Sequence, residues 1–388
     1  MTLMEQVTDC LAAAVENHEA AGLSVMVRRC GTEVLYTQAG MADAQTGRPI
    51  RRDSIFRMYS QSKPVTAAAV MLLMERGVID LADPVEKFLP GFHGQQVWTE
   101  QGLTPAVRPV TLMDLLSMTA GLSYPDADAP GQAVARLFEA NTEEIRRGGG
   151  MTTVALCDHL GEQPLAFQPG TRFRYSTCAD VLGAVVEVAS GKRFGDFLRE
   201  ELFEPLGMED TGFFVPESKR GRLVTCYRRV PGGVEPYQGL HLCVGDYTRD
   251  PAFESGGAGL VSTLADYAAF ADMLMNDGVY QGQRILSPAS VAFLRTPQIT
   301  DARYGLWDSL DGYGYGKLMR VCVEPGRVAG LSSLGEYGWD GWLGTYFCNL
   351  PKERTTLLMM QNTTDTGTAA VTRKFRNLVM AAISRGEL

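Results

Sequence analysis

Phe56-Arg57-Met58-Tyr59-Ser60-Gln61-Ser62-Lys63-Pro64-Val65-Thr66 is the stretch on which the reading of this chain turns. It sets a serine and a lysine three residues apart at the mouth of an apolar helical pattern. Residues three apart share one face of a helix, so Ser60 and Lys63 can touch without help from the rest of the fold. Pro64 lacks an N–H and is tolerated in a first helical turn, which puts the helix start at about Ser60 or Gln61. Val65, Ala68, Ala69, Leu72 and Leu73 continue one side, and Gly77 supplies a stop. A serine needs a neighbouring base to become a nucleophile, and a lysine serves once its proton is displaced. Taken alone, the same pair also fits a helix cap beside a solvated lysine.

The composition around this stretch is that of an ordinary globular chain. It has 388 residues, 45% hydrophobic and 21% charged, which is length enough for two or three structural units. The net charge of −9, with no basic run longer than an Arg-Arg pair, argues against a nucleic-acid partner or an anionic membrane surface. Leu3, Val7, Leu11 and Val15 recur at helical spacing with acids between them. The N-terminus therefore reads as an amphipathic helix and not as a signal peptide. No apolar run has the length of a membrane span. The eight cysteines show no CxxC pair and read as free, buried thiols. The four histidines form no metal-ligand pattern. These features point to a cytoplasmic protein without a metal or cofactor.

Further out, Leu23–Arg28 and Glu33–Gly40 read as a hairpin turned at Cys30-Gly31-Thr32. Helices are expected at 111–116, with Thr111 and Asp114 as its cap pair, and at 134–147, 153–160 and 194–202, and another starts in Tyr175-Ser176-Thr177, with Tyr175 at its N-terminal end, carries Val181, Leu182, Val185, Val186 and Val188 and ends at Gly191. A hairpin is expected around Pro231-Gly232-Gly233, and a helix over 264–275 capped by Thr263. From Gly312 the pattern becomes β, with strands at 314–319, 336–339, 344–350 and 355–360. A last helix runs from about Thr368 to Ser384. Strands at both ends with helices between imply an α+β fold. Residues 1–85 and 245–388 build an antiparallel sheet flanked by helices, and residues 86–244 a mostly helical lobe, with the site at their interface.

Ser60-x-x-Lys63, then Tyr175-Ser176-Thr177, then Trp339-Asp340-Gly341 occur in that order over nearly the whole chain. Connectors such as Leu115-Leu116-Ser117-Met118-Thr119-Ala120-Gly121 and Phe203-Glu204-Pro205-Leu206-Gly207-Met208 accompany them. This set resembles the serine β-lactamase-like hydrolases: class C β-lactamases, D-alanyl-D-alanine carboxypeptidases, family VIII esterases and related acyltransferases. The resemblance implies the β-lactamase/penicillin-binding-protein fold, with Ser60, Lys63 and Tyr175 as catalytic residues. It also implies an oxyanion hole from the backbone N–H groups of Ser60 and Trp342. Trp339, Asp340, Gly341, Thr177 and Tyr59 become substrate-binding candidates. Gly341 would let substrate approach the strand closely.

Two positions depart from the antibiotic-recognising pattern of Tyr-x-Asn and Lys-Thr-Gly. Thr177 replaces the Asn, and Trp339 replaces the Lys that helps hold a substrate carboxylate. Asp340 would repel an anion. The expectation is therefore a hydrolase of small carboxylic esters acting through a Ser60 acyl-enzyme. An acyltransferase using the same intermediate, a D-amino-acid amidase or peptidase, and a weak β-lactamase are the alternatives. A non-enzymatic binding protein would not need the full Ser60, Lys63 and Tyr175 set. The oligomeric state is not legible in the chain.

Overall fold

The computed structural model describes residues 1–300, 310–367 and 369–388. Its centre is an eight-stranded antiparallel sheet drawn from both ends of the chain. The first three strands are β1 (Gly22–Arg29), β2 (Thr32–Asp43) and β3 (Arg48–Pro49). The other five are β4 (Tyr313–Tyr315), β5 (Arg320–Cys322), β6 (Tyr337–Asp340), β7 (Tyr346–Leu350) and β8 (Thr355–Gln361). Their spatial order is β4-β5-β6-β7-β8-β1-β2-β3. The two chain ends therefore meet where β1 pairs with β8, Val25 opposite Met359. Side chains alternate across a strand, and the central strands β7, β8 and most of β1 are buried on both faces. Val25, Val27, Leu357 and Met359 pack toward α1 (Leu3–Glu16) and α7 (Ala370–Ser384). Met26, Leu358 and Met360 join the larger core on the other face.

That larger core holds α2 (Ser62–Glu75) at its middle. Twelve of its residues, from Ser62 to Leu73, are buried, so the helix is enclosed on every side instead of amphipathic. It packs against α5 (Cys178–Ser190), while α6 (Leu264–Met275) covers β8, β7 and β1. Between β3 and α6 lie mainly helices, among them α3 (Ala129–Arg146) and α4 (Thr153–Gly161), together with two short hairpins. Thr111 and Asp114 form the expected capping box. No helix among the described residues is long and apolar enough to cross a membrane.

Several local expectations are corrected. The helix expected over 134–147 begins at Ala129, because Asp128 caps it and Pro130 sits in the first turn, where proline is tolerated. The helix expected over 194–202 is α-helical only over Phe194–Leu198 and continues as a wider π-turn through Phe203. The strand expected over 314–319 is a strand pair folded back at residues 316–319, where Leu318 takes a positive φ of 58°. Tyr175 lies outside the helix, in the irregular segment three residues before α5 begins at Cys178. The predicted first residue of the last helix, Thr368, lies outside the described residues.

Candidate active site

Ser60 lies in a single 3-10 turn, Tyr59–Gln61, that feeds directly into α2. Tyr59 just before it takes φ of 45°, a left-handed conformation that costs a non-glycine residue of order 1 kcal/mol and persists only when packing imposes it. The packing is aromatic: the Tyr59 ring meets the Trp342 ring edge-on at 5.0 Å and lies 5.8 Å from His241. The turn therefore presents Ser60 into the cavity while Tyr59 is buried beneath it.

One helical step on, the Lys63 side chain is fully buried. Its Nζ has three polar neighbours: Ser60 Oγ at 3.0 Å, Tyr124 Oη at 3.1 Å and the Gly257 carbonyl at 2.8 Å. Burial pushes its pKa down from 10.5 to about 7, against the opposing pull of the Asp180 carboxylate. A neutral amine has two N–H donors and one lone pair. The carbonyl and the phenol can take the donors, leaving the lone pair for the Ser60 proton.

Asp180 is buried one turn into α5 and holds the Gly257 segment in place. It accepts from the Gly257 N–H at 3.0 Å and from the Ser255 hydroxyl. A side chain at Gly257 would collide with this carboxylate, its Cβ falling 2.8 Å from Oδ2. Sequence reasoning missed Asp180, whose position in the first turn of a helix looks like ordinary helix-dipole chemistry.

Tyr175 joins the group from the other side. Its ring lies 4.5 Å from Lys63 Nζ, and its hydroxyl is hydrogen-bonded with Ser60. Burial raises its pKa, so the phenol stays protonated at neutral pH. The Trp339 indole N–H donates to the same hydroxyl oxygen at 3.0 Å. The tryptophan expected as a substrate wall does border the cavity, but its polar edge is directed at Tyr175.

Asp340 and Thr177 are corrected, and Gly341, which lines the cavity, has a further role. Asp340 does not present an uncompensated negative charge, since its Oδ2 pairs with Arg320 Nη1 at 2.6 Å. Thr177 is fully buried and donates to the Ser123 carbonyl at 3.3 Å, outside the cavity lining. At Gly341 the close approach is made by the protein itself. A Cβ there would stand 2.0 Å from Thr345 Oγ1 and 2.4 Å from the Met58 carbonyl. Thr345 Oγ1 also donates to that carbonyl at 3.0 Å. The end of β6 is thereby fastened to the residue that leads into the Ser60 turn, which brings the Ser60 and Trp342 backbones to one cavity. The Trp342 ring is held by its own N–H to Asp365 Oδ1 at 2.7 Å and by His241, stacked on it at 4.0 Å.

The cavity has a volume of about 1170 Å³ and takes in Ser60, Tyr59, Tyr124, Tyr175, Trp339 and Trp342. Its lining includes apolar residues such as Phe138 and Leu242 and polar ones such as Tyr313, Arg320 and Arg376. The arrangement can accept a proton from a serine oxygen and hold a phenol proton beside it, within a cavity large enough for a substrate.

This geometry coincides with clear similarity to known proteins. The chain is 32% identical to Protein Rv1367c of Mycobacterium tuberculosis, over 83% of this chain and 81% of that one. It is 29% identical to Esterase EstB of Burkholderia gladioli, covering 95% and 93% of the two chains. Acyltransferase calJ of Penicillium decumbens matches at 28% identity over 73% and 68%. Among solved structures, EstCE1, a hydrolase with promiscuous acyltransferase activity, superposes with a TM-score of 0.84 at 25% identity, covering 97% and 98%. A family model described as Beta-lactamase matches residues 7–381, and the chain belongs to the beta-lactamase family.

Proposed function

We propose that this protein is a serine hydrolase that cleaves small carboxylic esters through a covalent Ser60 acyl-enzyme. The observation that carries the reading is the buried Lys63 amine, 3.0 Å from Ser60 Oγ and with its pKa lowered to about 7. Neutral Lys63 takes the Ser60 proton as Oγ bonds to the ester carbonyl carbon. The Ser60 and Trp342 N–H groups receive the oxyanion. As the intermediate collapses, the Tyr175 phenol passes a proton to the departing alcohol oxygen and is reprotonated from Lys63. Water then attacks the acyl-enzyme by the same relay run in reverse, releasing the acid and free Ser60. An alcohol in place of water gives acyl transfer. The relative named Acyltransferase calJ and the hydrolase EstCE1, with its promiscuous acyltransferase activity, support that second reading.

Neutral substrates fit the cavity walls, where Arg320 is paired with Asp340 and Arg376 with Glu336. An indole also stands where a carboxylate-binding lysine would be expected. In this reading the cavity lies between a sheet unit of residues 1–85 and 245–388 and a helical unit of residues 86–244. The free, mostly buried cysteines suit the cytoplasm.

A fluorophosphonate probe with mass spectrometry tests the mechanism. Wild type is expected to gain one adduct on Ser60, and equal labelling of Ser60→Ala would reject the acyl-enzyme. p-Nitrophenyl acetate and butyrate are expected to turn over faster than nitrocefin or D-alanyl-p-nitroanilide. Rapid nitrocefin hydrolysis without ester hydrolysis would favour the β-lactamase alternative instead.

A further inference from the structure

Trp342 is gripped by two consecutive residues of a turn that follows β8. Asp365 Oδ1 accepts from the Trp342 indole N–H at 2.7 Å, and the backbone N–H of Thr366 donates to the Trp342 carbonyl at 3.2 Å. The ring and the backbone of one tryptophan are thus held from one place. Its own backbone N–H makes no hydrogen bond within the described residues, although the groups around it are tied. The Gly341 N–H donates to the Thr345 carbonyl at 2.7 Å, and the Gly344 N–H to the Gly341 carbonyl at 2.9 Å. To reach the indole, Asp365 takes φ of 56°, a left-handed conformation that is costly for a non-glycine residue and persists where the surroundings impose it. Thr366 is buried and packed on the Trp342 turn: a Cβ at Gly344 would fall 2.6 Å from its Oγ1. The indole also meets the rings of Tyr59 at 5.0 Å, Tyr237 at 5.5 Å and His241 at 4.0 Å. Through Tyr59 it leans on the residue just before Ser60.

We propose that Asp365 is a positioning residue for the oxyanion site: by holding the Trp342 indole it fixes the direction of the Trp342 backbone N–H. This inference rests on the Ser60 acyl-enzyme reading, in which that N–H and the Ser60 N–H receive the oxyanion. A donor stabilises the tetrahedral intermediate when it is already aimed at the place where charge develops. Trp342 lies in the turn beyond β6, outside the strand ladder, so no neighbouring strand orients it. Its ring, N–H and carbonyl all hang from one Cα. Pinning the ring at its far end and the carbonyl on one side therefore restricts how the N–H can swing. The bond that pins the ring joins an N–H to a carboxylate, which is stronger than a bond between neutral groups. Asp365 acts through Trp342 and not on the reacting carbonyl itself. Its contribution belongs to the tetrahedral state and not to ground-state substrate binding.

The test uses the whole protein and compares turnover of p-nitrophenyl butyrate with inhibition by 1,1,1-trifluoropentan-2-one. Ser60 Oγ adds to the ketone carbon, the serine proton passes to Lys63 and the ketone oxygen becomes an oxyanion. The Ki therefore reads the oxyanion site with no leaving group involved. Rates are expressed per Ser60 labelled by the fluorophosphonate probe. Asp365→Gly removes the carboxylate and accepts the positive φ. It is expected to lower kcat and raise Ki by about tenfold each, with KM nearly unchanged. Asp365→Asn, whose amide oxygen can accept the indole N–H, is expected to recover most of that loss. Trp342→Phe deletes the same bond from its other end and should lose a similar factor, and adding Asp365→Gly to it should cost little more. Unchanged kcat and Ki in Asp365→Gly, an effect confined to KM, or fully additive losses in the double variant would overturn the positioning role while leaving the hydrolase intact. Should Asp365→Gly not fold, Trp342→Phe decides alone: a tenfold rise in Ki supports the role, and an unchanged Ki overturns it. Absence of nitrophenol release and of a Ser60 adduct in wild type would overturn the acyl-enzyme reading, and the positioning role with it.

Discussion

At Lys63 the fold gives up stability for reactivity. The lysine pKa falls from 10.5 in the open chain to about 7 in the folded protein. The unfolded chain therefore binds the extra proton more tightly. The resulting penalty is full below pH 7, about 4 kcal/mol at pH 7, and fades as pH rises toward 10.5. Two outcomes follow. The acidic limb of kcat/KM for a neutral ester is expected to titrate near pH 7, with activity lost as Lys63 is protonated. Lys63→Met is expected to abolish acyl-enzyme formation yet melt several degrees higher at pH 7 by calorimetry, with the gain shrinking by pH 10. A variant that melted lower at every pH would mean that the amine is not held against its charge. Trp339→Phe isolates a different contribution, removing the indole N–H that reaches Tyr175 while retaining an aromatic ring. One hydrogen bond to a reacting group corresponds to a loss of roughly tenfold in kcat with little change in KM. A change confined to KM would return Trp339 to a substrate-wall role.

At the scale of elements, the site depends on β6 being fastened to the turn before α2. Gly341 makes that contact possible, since any side chain would meet Thr345 Oγ1 and the Met58 carbonyl. Gly341→Ala is expected to lower the urea-unfolding free energy by about 2–3 kcal/mol, the scale of an overpacked core. It should also depress kcat, because Ser60 and Trp342 border the cavity from the two sides of this joint. Wild-type stability in that variant would show that the strand end can move freely. The elements themselves were largely legible. Hydrophobic periodicity, the Thr111–Asp114 and Thr263–Asp266 caps and the Cys30-Gly31 turn are local signals, and the structure carries each of them. The misread boundaries have local competitors: Asp128-Ala129-Pro130 resembles a loop by composition yet starts a helix, and Gly316 to Met319 alternates like a strand yet turns.

At the scale of the whole molecule, a buried polar network joins the terminal helix to the sheet. Arg376 of α7 reaches Glu336 at 2.8 Å, Tyr313 Oη at 2.9 Å and Tyr346 Oη at 3.0 Å. Removing one partner of a buried ion pair leaves the other charge uncompensated, so Arg376→Ala is expected to cost about 3–5 kcal/mol by denaturant unfolding. Arg376→Met combined with Glu336→Leu should recover much of that loss. A double variant no more stable than the single one would mean that the pair is not the unit that matters. The nucleophile–base spacing, the α+β order of elements and the family could be read from the chain alone, because each is written in residues near one another or in motifs met in order. The partners of those residues could not. Lys63 reaches Gly257, Trp339 reaches Tyr175, Gly341 packs on Met58 and Arg320 neutralises Asp340. Most of these contacts link segments far apart in sequence, and even Arg320 and Asp340 meet only across neighbouring strands. A side chain's charge and direction there are set by what the folded chain brings against it, which no local pattern encodes.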